Sequence, residues 1–389
     1  MHAATRLNNL AGVEILAAGA GCKAQHPAEV GREAARLAQS VPRAGGGLVF
    51  VGGSLAAQLP AVAGALAAAC PGLPFLVASG AWVIAPSGEL EDQSAAAVLI
   101  WSGPAPSLNA VTDEDPPRIG EALARELSTT GASAHFLALD PERFDPDLLA
   151  PLAALPRAAQ VFGFGATGSP GAVGLLADGS LVRGAAVALG FRGLTAPVIE
   201  VTPAARLLTP LRPISAARGS LVLRLGEEPA LDALTAAGEG LTGEPLLLAA
   251  LAEDDADATG ARPEVFLRPI RGVDPTRRGV FVSAEAHAGV RMAFAARDPV
   301  AAREDFEAAA RRLRRAAAGA APRFGVYVSC TGRGARLYGS YDVDGRLLRT
   351  ALGDLPLVGV SGAFQIAPHA GLPKLHLFSG VLSLFTAPS

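Results

Sequence analysis

Lysine is nearly absent from this chain of 389 residues, since Lys23 and Lys374 are the only two and arginine supplies the remaining basic charge. The formal net charge is −3 at pH 7, so the chain has no excess of positive charge that would attract the phosphates of a nucleic acid. The three cysteines, Cys22, Cys70 and Cys330, are far apart. Their spacing predicts neither a disulfide framework nor a structural zinc site, and it favours a reducing cytoplasm.

Charge is also absent between Arg43 and Glu89. Four prolines divide this apolar stretch into pieces that are shorter than the ~20 residues a membrane-spanning helix needs. Near the N-terminus, Glu14 interrupts the only apolar run, so the sequence does not predict a signal peptide. We therefore expect no membrane span and a cytoplasmic location.

One segment of the sequence occurs twice. Residues 73–86 read LPFLVASGAWVIAP, residues 355–368 read LPLVGVSGAFQIAP, and eight of the fourteen positions are identical. Each copy has an apolar run about 25 residues upstream and another downstream, and a weaker copy occupies residues 135–191. Self-similarity of this kind indicates a supersecondary unit that is used more than once.

The repeated unit has the pattern of strands joined by short crossovers. Its apolar runs are short, rich in β-branched and aromatic residues, and end at Gly or Ser, which is typical of buried strands. The connecting segments Ala61–Cys70 and Asp147–Leu155 each predict one short helix. The sequence therefore predicts an α/β fold of two domains, built from a duplicated strand–helix–strand–turn–strand unit with mixed sheets flanked by helices.

The length of the chain predicts more than one domain. The acidic, glycine-containing segment Glu253–Arg262 is the predicted linker, so the domains are expected at residues 1–252 and 263–389. Beyond the linker, Val265–Ile270, Gly279–Ser283 and Val290–Ala295 are predicted strands, the last two of them as a hairpin.

Several motifs in this order resemble the FIST family, a pair of N-terminal and C-terminal domains found in bacterial signalling proteins. The residues that carry the resemblance are Ser329–Gly334 (SCTGRG), Gly359–Pro368 with Leu375-His376, Ser79–Ile84, and Gly88–Glu91. The resemblance covers nearly the whole chain, with residues 1–252 as the N-terminal-like and 263–389 as the C-terminal-like domain. It implies a cytoplasmic sensory module that binds small ligands such as amino acids, and some members of the family bind haem.

The chain departs from the family pattern at three places. Phe364-Gln365 stands where the family often has Gly-Glu, His376-Leu377 where it often has His-Asn, and Leu211 where a cysteine is frequent. Because an acid, an amide and a thiol are replaced, the resemblance implies a more neutral pocket than in typical members.

The turn after the strand at residues 325–328 holds the first candidate site, Cys330, Gly332, Arg333 and Gly334. Turns at strand ends lie at the sheet edge where α/β proteins bind ligands. Glycine lets the backbone approach a ligand closely, and the guanidinium of Arg333 can bind a carboxylate or phosphate. Two alternatives stay open for Arg333, an anionic ligand or a structural acid such as Asp342 or Asp354. Cys330 has three, a buried structural thiol, a ligand contact or a nucleophile.

The other candidate ligand-binding residues are Ser79, Gly80, Ser361, Gly362, Gln365 and His376. The two Ser-Gly pairs are either tight turns or matching loops that face one shared pocket. A buried glutamine must find partners for its amide, so Gln365 is predicted to lie in one pocket with Cys330 and Arg333.

No catalytic or metal-binding set is predicted, because the six histidines have no ligand spacing and no nucleotide motif is present. Haem needs only one axial histidine, so a haem cofactor is a low-weight alternative. The sequence favours a cytoplasmic small-ligand-binding sensory protein that acts through a separately encoded partner. The alternatives are a haem-binding gas sensor and an enzyme that uses Cys330 as nucleophile, and an enzyme is disfavoured.

Overall fold

The computed structural model describes residues 17–112, 115–156, 159–168, 172–239, 241, 245–253 and 264–386. The chain forms two compact units, and each is discontinuous in the sequence. The first contains the chain up to Thr202, Phe306–Leu375 and the residues from Ser379 onward, and the second contains Pro203–Asp305 with His376–Phe378. Apart from Glu253, the predicted linker Glu253–Arg262 lies outside the described residues, and the predicted sequence boundary stays a prediction.

The elements alternate between strands and short helices. The strands are β1 (Ala17–Lys23), β2 (Ala44–Gly52), β3 (Phe75–Ser79), β4 (Val83–Ala85), β5 (Gly88–Leu90), β6 (Ala95–Ser102), β7 (Ser107–Val111), β8 (Ala134–Leu139), β9 (Gln160–Gly165), β10 (Val173–Ala177), β11 (Ser180–Arg183), β12 (Ala186–Phe191), β13 (Val198–Pro203), β14 (Ala205–Leu207), β15 (Arg212–Arg218), β16 (Leu221–Leu225), β17 (Glu228–Pro229), β18 (Leu247–Ala252), β19 (Phe266–Asp274), β20 (Gly279–Val282), β21 (Arg291–Arg297), β22 (Pro322–Cys330), β23 (Leu357–Gly362), β24 (Phe364–His369), β25 (Leu372–His376) and β26 (Ser379–Thr386). The helices are α1 (Pro27–Ser40), α2 (Leu59–Ala69), α3 (Pro116–Leu127), α4 (Ala230–Gly238), α5 (Pro299–Ala316), α6 (Ala335–Tyr338) and α7 (Val343–Leu352). The predicted α/β class with mixed sheets is confirmed.

The first unit contains three six-stranded sheets of the same internal pattern. Their strand orders are β1-β6-β2-β3-β10-β11, β7-β12-β8-β9-β24-β25 and β13-β26-β22-β23-β4-β5. In each sheet two strands pair in parallel, β2 with β3, β8 with β9 and β22 with β23, and a later strand pairs antiparallel to the first of them. The three segments that the sequence identifies as copies thus share one pairing pattern. That their backbones superpose stays a prediction.

Each repeat gives its hairpin to the sheet of another repeat. The hairpin β4–β5 of the first repeat pairs with β23 of the third, β10–β11 of the second pairs with β3 of the first, and β24 of the third pairs with β9 of the second. The exchange is cyclic, so every sheet needs two repeats to be complete.

One apolar core is shared by the three sheets. Alternation along each strand places every second side chain on the inner face, and the rings that meet there come from different repeats. The ring centroid of Phe50 lies 5.8 Å from those of both Phe136 and Phe164, and the ring centroid of Phe191 lies 4.3 Å from that of Phe385. Burial of this shared core holds the three repeats together, because each apolar face is covered only by the others.

Gly80 sits at a contact between two repeats, and this gives a stability prediction. A Cβ at Gly80 would lie 2.2 Å from Val360 Cγ2 and 2.7 Å from the Ser361 carbonyl oxygen. We expect Gly80→Ala to lower the free energy of unfolding by about 1–3 kcal/mol through overpacking, measured by urea denaturation. Gly64→Ala in α2 is the control, because among the described residues no heavy atom outside its own helical turn lies within 4 Å of its Cβ position. If the two changes lowered the free energy of unfolding equally, the close contact of Gly80 with Val360 and Ser361 of another repeat would be contradicted.

The second unit is a closed antiparallel sheet. Its strands follow the order β14-β21-β15-β16-β20-β19-β18, and β18 also pairs with β21, which closes the sheet on itself. The predicted hairpin of Gly279–Ser283 with Val290–Ala295 is wrong, because β20 pairs with β16 and β19 whereas β21 pairs with β14, β15 and β18. Sequence proximity suggested the hairpin, but barrel closure gives β21 partners that are distant in sequence.

Two smaller expectations concern helices. The helix predicted over Asp147–Leu155 is instead two short 3-10 turns, Pro146–Leu149 and Pro151–Ala154, because Pro151 has no N–H to continue an α-helical ladder. No helix within the described ranges is both long and apolar enough to cross a membrane.

Candidate functional site

The carboxyl ends of the parallel strands β22 and β23 place polar side chains side by side. Ser329 is the register partner of Ser361, and the Ser361 N–H donates to the Trp82 carbonyl oxygen at 3.0 Å. The hairpin register pairs Val83 with Leu90 and Ile84 with Glu89, which brings Glu91 opposite Trp82. Four side chains therefore form a row across the ends of four adjacent strands, which we call the polar row: Ser329 of β22, Ser361 of β23, Trp82 directly before β4 and Glu91 directly after β5.

Strand alternation puts the whole polar row on one face of its sheet. One face of the sheet packs in the shared core through five valines, Val326, Val328, Val358, Val360 and Val83. Their neighbours Tyr327, Leu357, Trp82 and Ile84 face the opposite side, together with residues of α5 and α7. The polar row therefore ends an otherwise apolar face, at the sheet edge where parallel strands present ligand sites.

Buried polar atoms of the row have no hydrogen-bond partner among the described residues. They are Ser329 Oγ, Ser361 Oγ, Trp82 Nε1 and Glu91 Oε1. Both carboxyl oxygens of the neighbouring Glu89 are also buried without a hydrogen-bond partner in the described structure. Ser329 and Ser361 are fully buried and Glu89 is 8% exposed. Leaving one such group unpaired costs about 1–3 kcal/mol, and folded proteins seldom accept that cost several times at one place.

Glu89 has the most perturbed carboxyl of the site. Burial, and then the charges of Asp344, Glu91 and Asp342, raises its pKa to about 9. Burial also raises the pKa of Glu91, although a hydrogen bond from the Ala335 N–H opposes the shift. In the absence of a positively charged partner, Glu89 thus holds a proton at neutral pH.

A buried ion pair lies beside the polar row. Arg333 Nε and Nη2 donate to the two carboxylate oxygens of Asp344 at 2.8 and 2.9 Å, and Nη2 also donates to the Tyr338 hydroxyl at 2.7 Å. Nη1 donates to the Thr202 carbonyl oxygen at 3.3 Å, and the hydroxyls of Tyr327 and Tyr338 both donate to Asp344 at 2.8 Å. We call these four side chains, Arg333, Asp344, Tyr327 and Tyr338, the Arg333 network.

Asp344 is ionised within the Arg333 network. Burial opposes ionisation, but the Arg333 charge and the hydrogen bonds from Arg333, Tyr338 and Tyr327 hold the pKa of Asp344 below its usual range. Burial raises the pKa of Tyr327 and Tyr338, so both hydroxyls keep their protons. The network is therefore a satisfied, internally neutral cluster, in contrast to the unpartnered polar row.

The loop between β22 and α7 covers the end of the hairpin β4–β5. The Ala335 N–H donates to Glu91 Oε2 at 3.0 Å, and the Glu89 N–H donates to Asp342 Oδ1 at 2.9 Å. Gly334 has a φ of +60°, and a Cβ there would lie 2.5 Å from Glu91 Oε2. Glycine is therefore required at 334 both for the left-handed backbone and for the close approach to Glu91.

The predicted turn residues make contacts of different kinds, and a single pocket shared by Cys330, Arg333 and Gln365 stays a prediction. Cys330 is buried, and its Sγ accepts the Gly332 N–H at 3.4 Å. Gln365 Nε2 donates to the Ser329 carbonyl oxygen at 3.1 Å and to that of Gly362 at 3.4 Å, whereas its Oε1 has no partner within the described structure. For Arg333, four N–H donors are already engaged, so the geometry favours the structural ion pair over the anionic ligand. The acid is Asp344, and neither Asp342 nor Asp354.

The two Ser-Gly turns have different surroundings. Ser79 Oγ donates to the carbonyl oxygens of Thr167 and Ala172, so its hydroxyl serves a contact between repeats. Gly80 packs on Ser361, and the hydroxyl of Ser361 is free for another partner within the described structure. His376 belongs to the second compact unit, where its ring lies 5.1 Å from that of Phe266. Only Ser361 of these residues is part of the polar row.

Sequence reasoning missed Trp82, Glu89, Glu91, Ser329 and Asp344 as site residues. A signal for the acids was present, because Glu89 in β5 and Glu91 just after it are two positions apart, the spacing at which side chains of an extended segment share a face. Their proximity to Ser329 depends on the hairpin exchange, which no local pattern indicates. Within the described ranges, no group of three or more His, Cys, Asp and Glu side chains is arranged to hold a metal ion.

Comparison with known proteins assigns the chain to a family. The FIST N domain matches residues 47–228 and the FIST C domain matches residues 230–368. An uncharacterized protein of Mycobacterium bovis is 29% identical over 320 residues, covering 78% of this chain and 80% of its own length. An uncharacterized protein of Mycobacterium tuberculosis is 28% identical over 313 residues, covering 78% and 81%. With both domain models matched in order along most of the chain, the protein belongs to the FIST domain family, whose domains are associated with sensory signal transduction.

Proposed function

We propose that this chain is a cytoplasmic sensory protein that binds a small polar ligand at the polar row and signals through a separately encoded partner. The observation that carries the proposal is the convergence of Ser329 Oγ, Ser361 Oγ, Trp82 Nε1, both carboxyl oxygens of Glu89 and Oε1 of Glu91, atoms that are all buried and without partners in the described structure. A ligand that hydrogen-bonds to these atoms would remove several desolvation costs at once.

The dimensions of the row suit a small molecule. It crosses three gaps between adjacent strands, a span of about 14 Å at about 4.8 Å per gap. Two hydroxyls and one indole N–H lie at one end, and carboxyl oxygens lie at the other. The neighbouring Arg333 network fixes the loop above the row, and its saturation leaves the row as the place where polar groups of a ligand find partners.

The link to signalling rests on family membership together with the place of the site. Ligand contacts at Glu89 and Glu91 would act directly on the loop 331–342, because Glu91 accepts the Ala335 N–H and the Glu89 N–H donates to Asp342. The exposed side chain of Tyr341 also bonds to Asp92 at this loop. A ligand-dependent shift of the loop would present a changed surface to a partner. The haem-binding and thiol-nucleophile alternatives stay predictions.

Two serines of one sheet provide a test of ligand binding. The double change Ser329→Ala with Ser361→Ala removes unpartnered hydroxyls, so we expect the ligand-free protein to keep its stability and the affinity for ligand to fall about tenfold or more. Ser383→Ala is the matched control, because the buried Ser383 Oγ donates to the Val326 carbonyl oxygen at 2.9 Å. That change should cost about 0.5–1.5 kcal/mol of stability and leave binding unchanged.

The measurement is mass spectrometry of small molecules that co-purify with the native protein and with each variant. The proposal expects one compound with wild type and with Ser383→Ala, and much less of it with the double variant. Retention of the same compound by the double variant at wild-type occupancy would overturn the polar row as the ligand site.

A further inference from the structure

We propose that the ligand of the polar row carries a small organic cation, an ammonium group, which binds between Glu89 and Glu91 beside the ring of Trp82. This rests on the proposed function and specifies the chemical class of its ligand.

Unpartnered acceptors dominate one end of the row. Both oxygens of Glu89 and Oε1 of Glu91 are buried and receive no hydrogen bond in the described structure. Glu89 lies in β5 and Glu91 directly follows it, so in an extended backbone the two side chains share a face with about 7 Å between their Cβ atoms. An ammonium group has three N–H donors and no acceptor, so it can satisfy these oxygens together.

The charges around this end leave a negative excess. Arg333 is neutralised by Asp344, and Arg349 by Asp342 at 2.5 Å. No cation is paired with Glu89 or Glu91 in the described structure, and Asp92 adds a further acid beside Glu91. The ionisable groups that face this end come from three segments. Strand β5 and the two residues after it contribute Glu89, Glu91 and Asp92. The loop and α6 contribute Arg333, Tyr338 and Tyr341, and α7 with the residue before it contributes Asp342, Asp344 and Arg349, whereas Arg336 and Arg346 are exposed to solvent.

Trp82 completes the environment of a cation. Its ring is 6% exposed and lies opposite Glu91 in the hairpin, between Glu91 and Ser361. The face of an indole attracts cations electrostatically, and the attraction grows where water is excluded. The acceptor oxygens of Glu89 and Glu91 and the ring of Trp82 thus lie at the same end of the polar row.

Binding of an ammonium ion should release the proton of Glu89. The pKa of Glu89 is raised to about 9 by burial and by the neighbouring acids, whereas an alkylammonium ion, like lysine with its pKa of about 10.4, stays charged at neutral pH. Below pH 9 the cation must displace the proton, so its apparent association constant should rise about tenfold per pH unit between pH 6.5 and 8.5.

The experiment uses the full chain with Trp101→Phe, which leaves Trp82 as the only tryptophan. n-Butylammonium chloride is titrated at pH 6.5, 7.5 and 8.5 while the Trp82 indole N–H signal is followed by NMR, with sodium butyrate, butanol and magnesium chloride as competing probes. We expect a saturable shift with n-butylammonium alone and the tenfold rise in affinity per pH unit. Glu89→Gln should bind at least tenfold more weakly and with a much weaker pH dependence, because only Glu91 then titrates at the site. The exposed Glu121→Gln should behave as wild type.

The outcomes separate the ligand class from the site. A saturable Trp82 shift with butyrate, butanol or magnesium, and none with n-butylammonium, would overturn the cation and leave the polar row as a ligand site. Equal binding of n-butylammonium by Glu89→Gln would likewise overturn its placement at Glu89. Absence of any shift, together with a compound retained by the Ser329/Ser361 double variant, would overturn both proposals.

Discussion

Arg333→Ala is expected to lower the free energy of unfolding by about 3–5 kcal/mol, because it would leave the charge of Asp344 buried and unpaired. Arg333 and Asp344 are both fully buried, and Asp344 would keep only the two tyrosine hydroxyls as donors. The measurement is urea denaturation of the ligand-free protein at pH 7. A loss of this size identifies Arg333 as a structural residue that supports the loop above the site.

Arg349→Ala is the matched control for this prediction. Its ion pair with Asp342 lies in the same part of the fold, but the two side chains are 36% and 26% exposed. Solvent screens such pairs, so the loss should stay within about 1 kcal/mol. Replacing both partners, Arg333→Met with Asp344→Leu, should recover part of the stability because no unpaired charge stays buried. If Arg333→Ala costs no more than Arg349→Ala, the Arg333 network is not a buried structural cluster.

Glu89→Gln is expected to stabilise the ligand-free protein at alkaline pH. The pKa of Glu89 rises from 4.5 to about 9 on folding, so the folded state binds a proton that the unfolded state releases between these values. The stability that Glu89 contributes is therefore full below pH 4.5 and is lost as the pH rises towards 9, by up to about 1.4 kcal/mol per pH unit. Glutamine keeps the shape of the neutral acid without the proton, so the variant should be about 2–4 kcal/mol more stable at pH 8.

The check is the free energy of unfolding from pH 5 to pH 9. Wild type should lose stability steadily across this range, with Glu91 contributing in the same sense because its pKa is also raised. Glu89→Gln should show a much flatter profile, and Glu121→Gln on the exposed side of α3 should follow wild type. A profile of Glu89→Gln that is parallel to wild type would mean that Glu89 is not buried as a neutral acid.

The contribution of Asp344 to stability has the opposite pH dependence. Its pKa is held low in the folded state, so its contribution is present above the unfolded pKa of about 3.9 and is lost as the pH falls further. The two groups therefore act in opposite senses, since Asp344 lowers stability as the pH falls below about 3.9 and Glu89 lowers it as the pH rises above 4.5.

The repeated strands could be predicted from the sequence because their signals are local. Apolar runs that end at Gly or Ser indicate β2, β3, β22 and β23. The Ser-Gly-Ala motif occurs in both copies and indicates the turns at the ends of β3 and β23. The exchange of hairpins could not be predicted, since β4 pairs with a strand more than 270 residues away and its own sequence does not specify the partner. Pairing of this kind is fixed only by the closure of all three sheets.

The candidate site was predictable in part for the same reason. The Gly-rich turn and its arginine were visible as a motif, but the partner of Arg333 was not, because Asp344 lies eleven positions on and faces inward only when α7 packs on β22. Tyr327 gave a usable hint, as a hydroxyl placed among apolar positions of a buried strand requires an acceptor. The departure from the family pattern at Gln365 implied a more neutral pocket. The first repeat, however, contributes one acid to the polar row, Glu91, and a second beside it, Glu89.

The most direct test of the ligand site is the Trp82 indole N–H signal of the Trp101→Phe protein in the presence of the compound that co-purifies with wild type. The polar row places Trp82 Nε1 without a partner in the described structure, so bound ligand should shift this signal at one equivalent, and the Ser329/Ser361 double variant should lose the shift. A compound that binds the protein tightly and leaves the Trp82 signal unchanged would contradict the account.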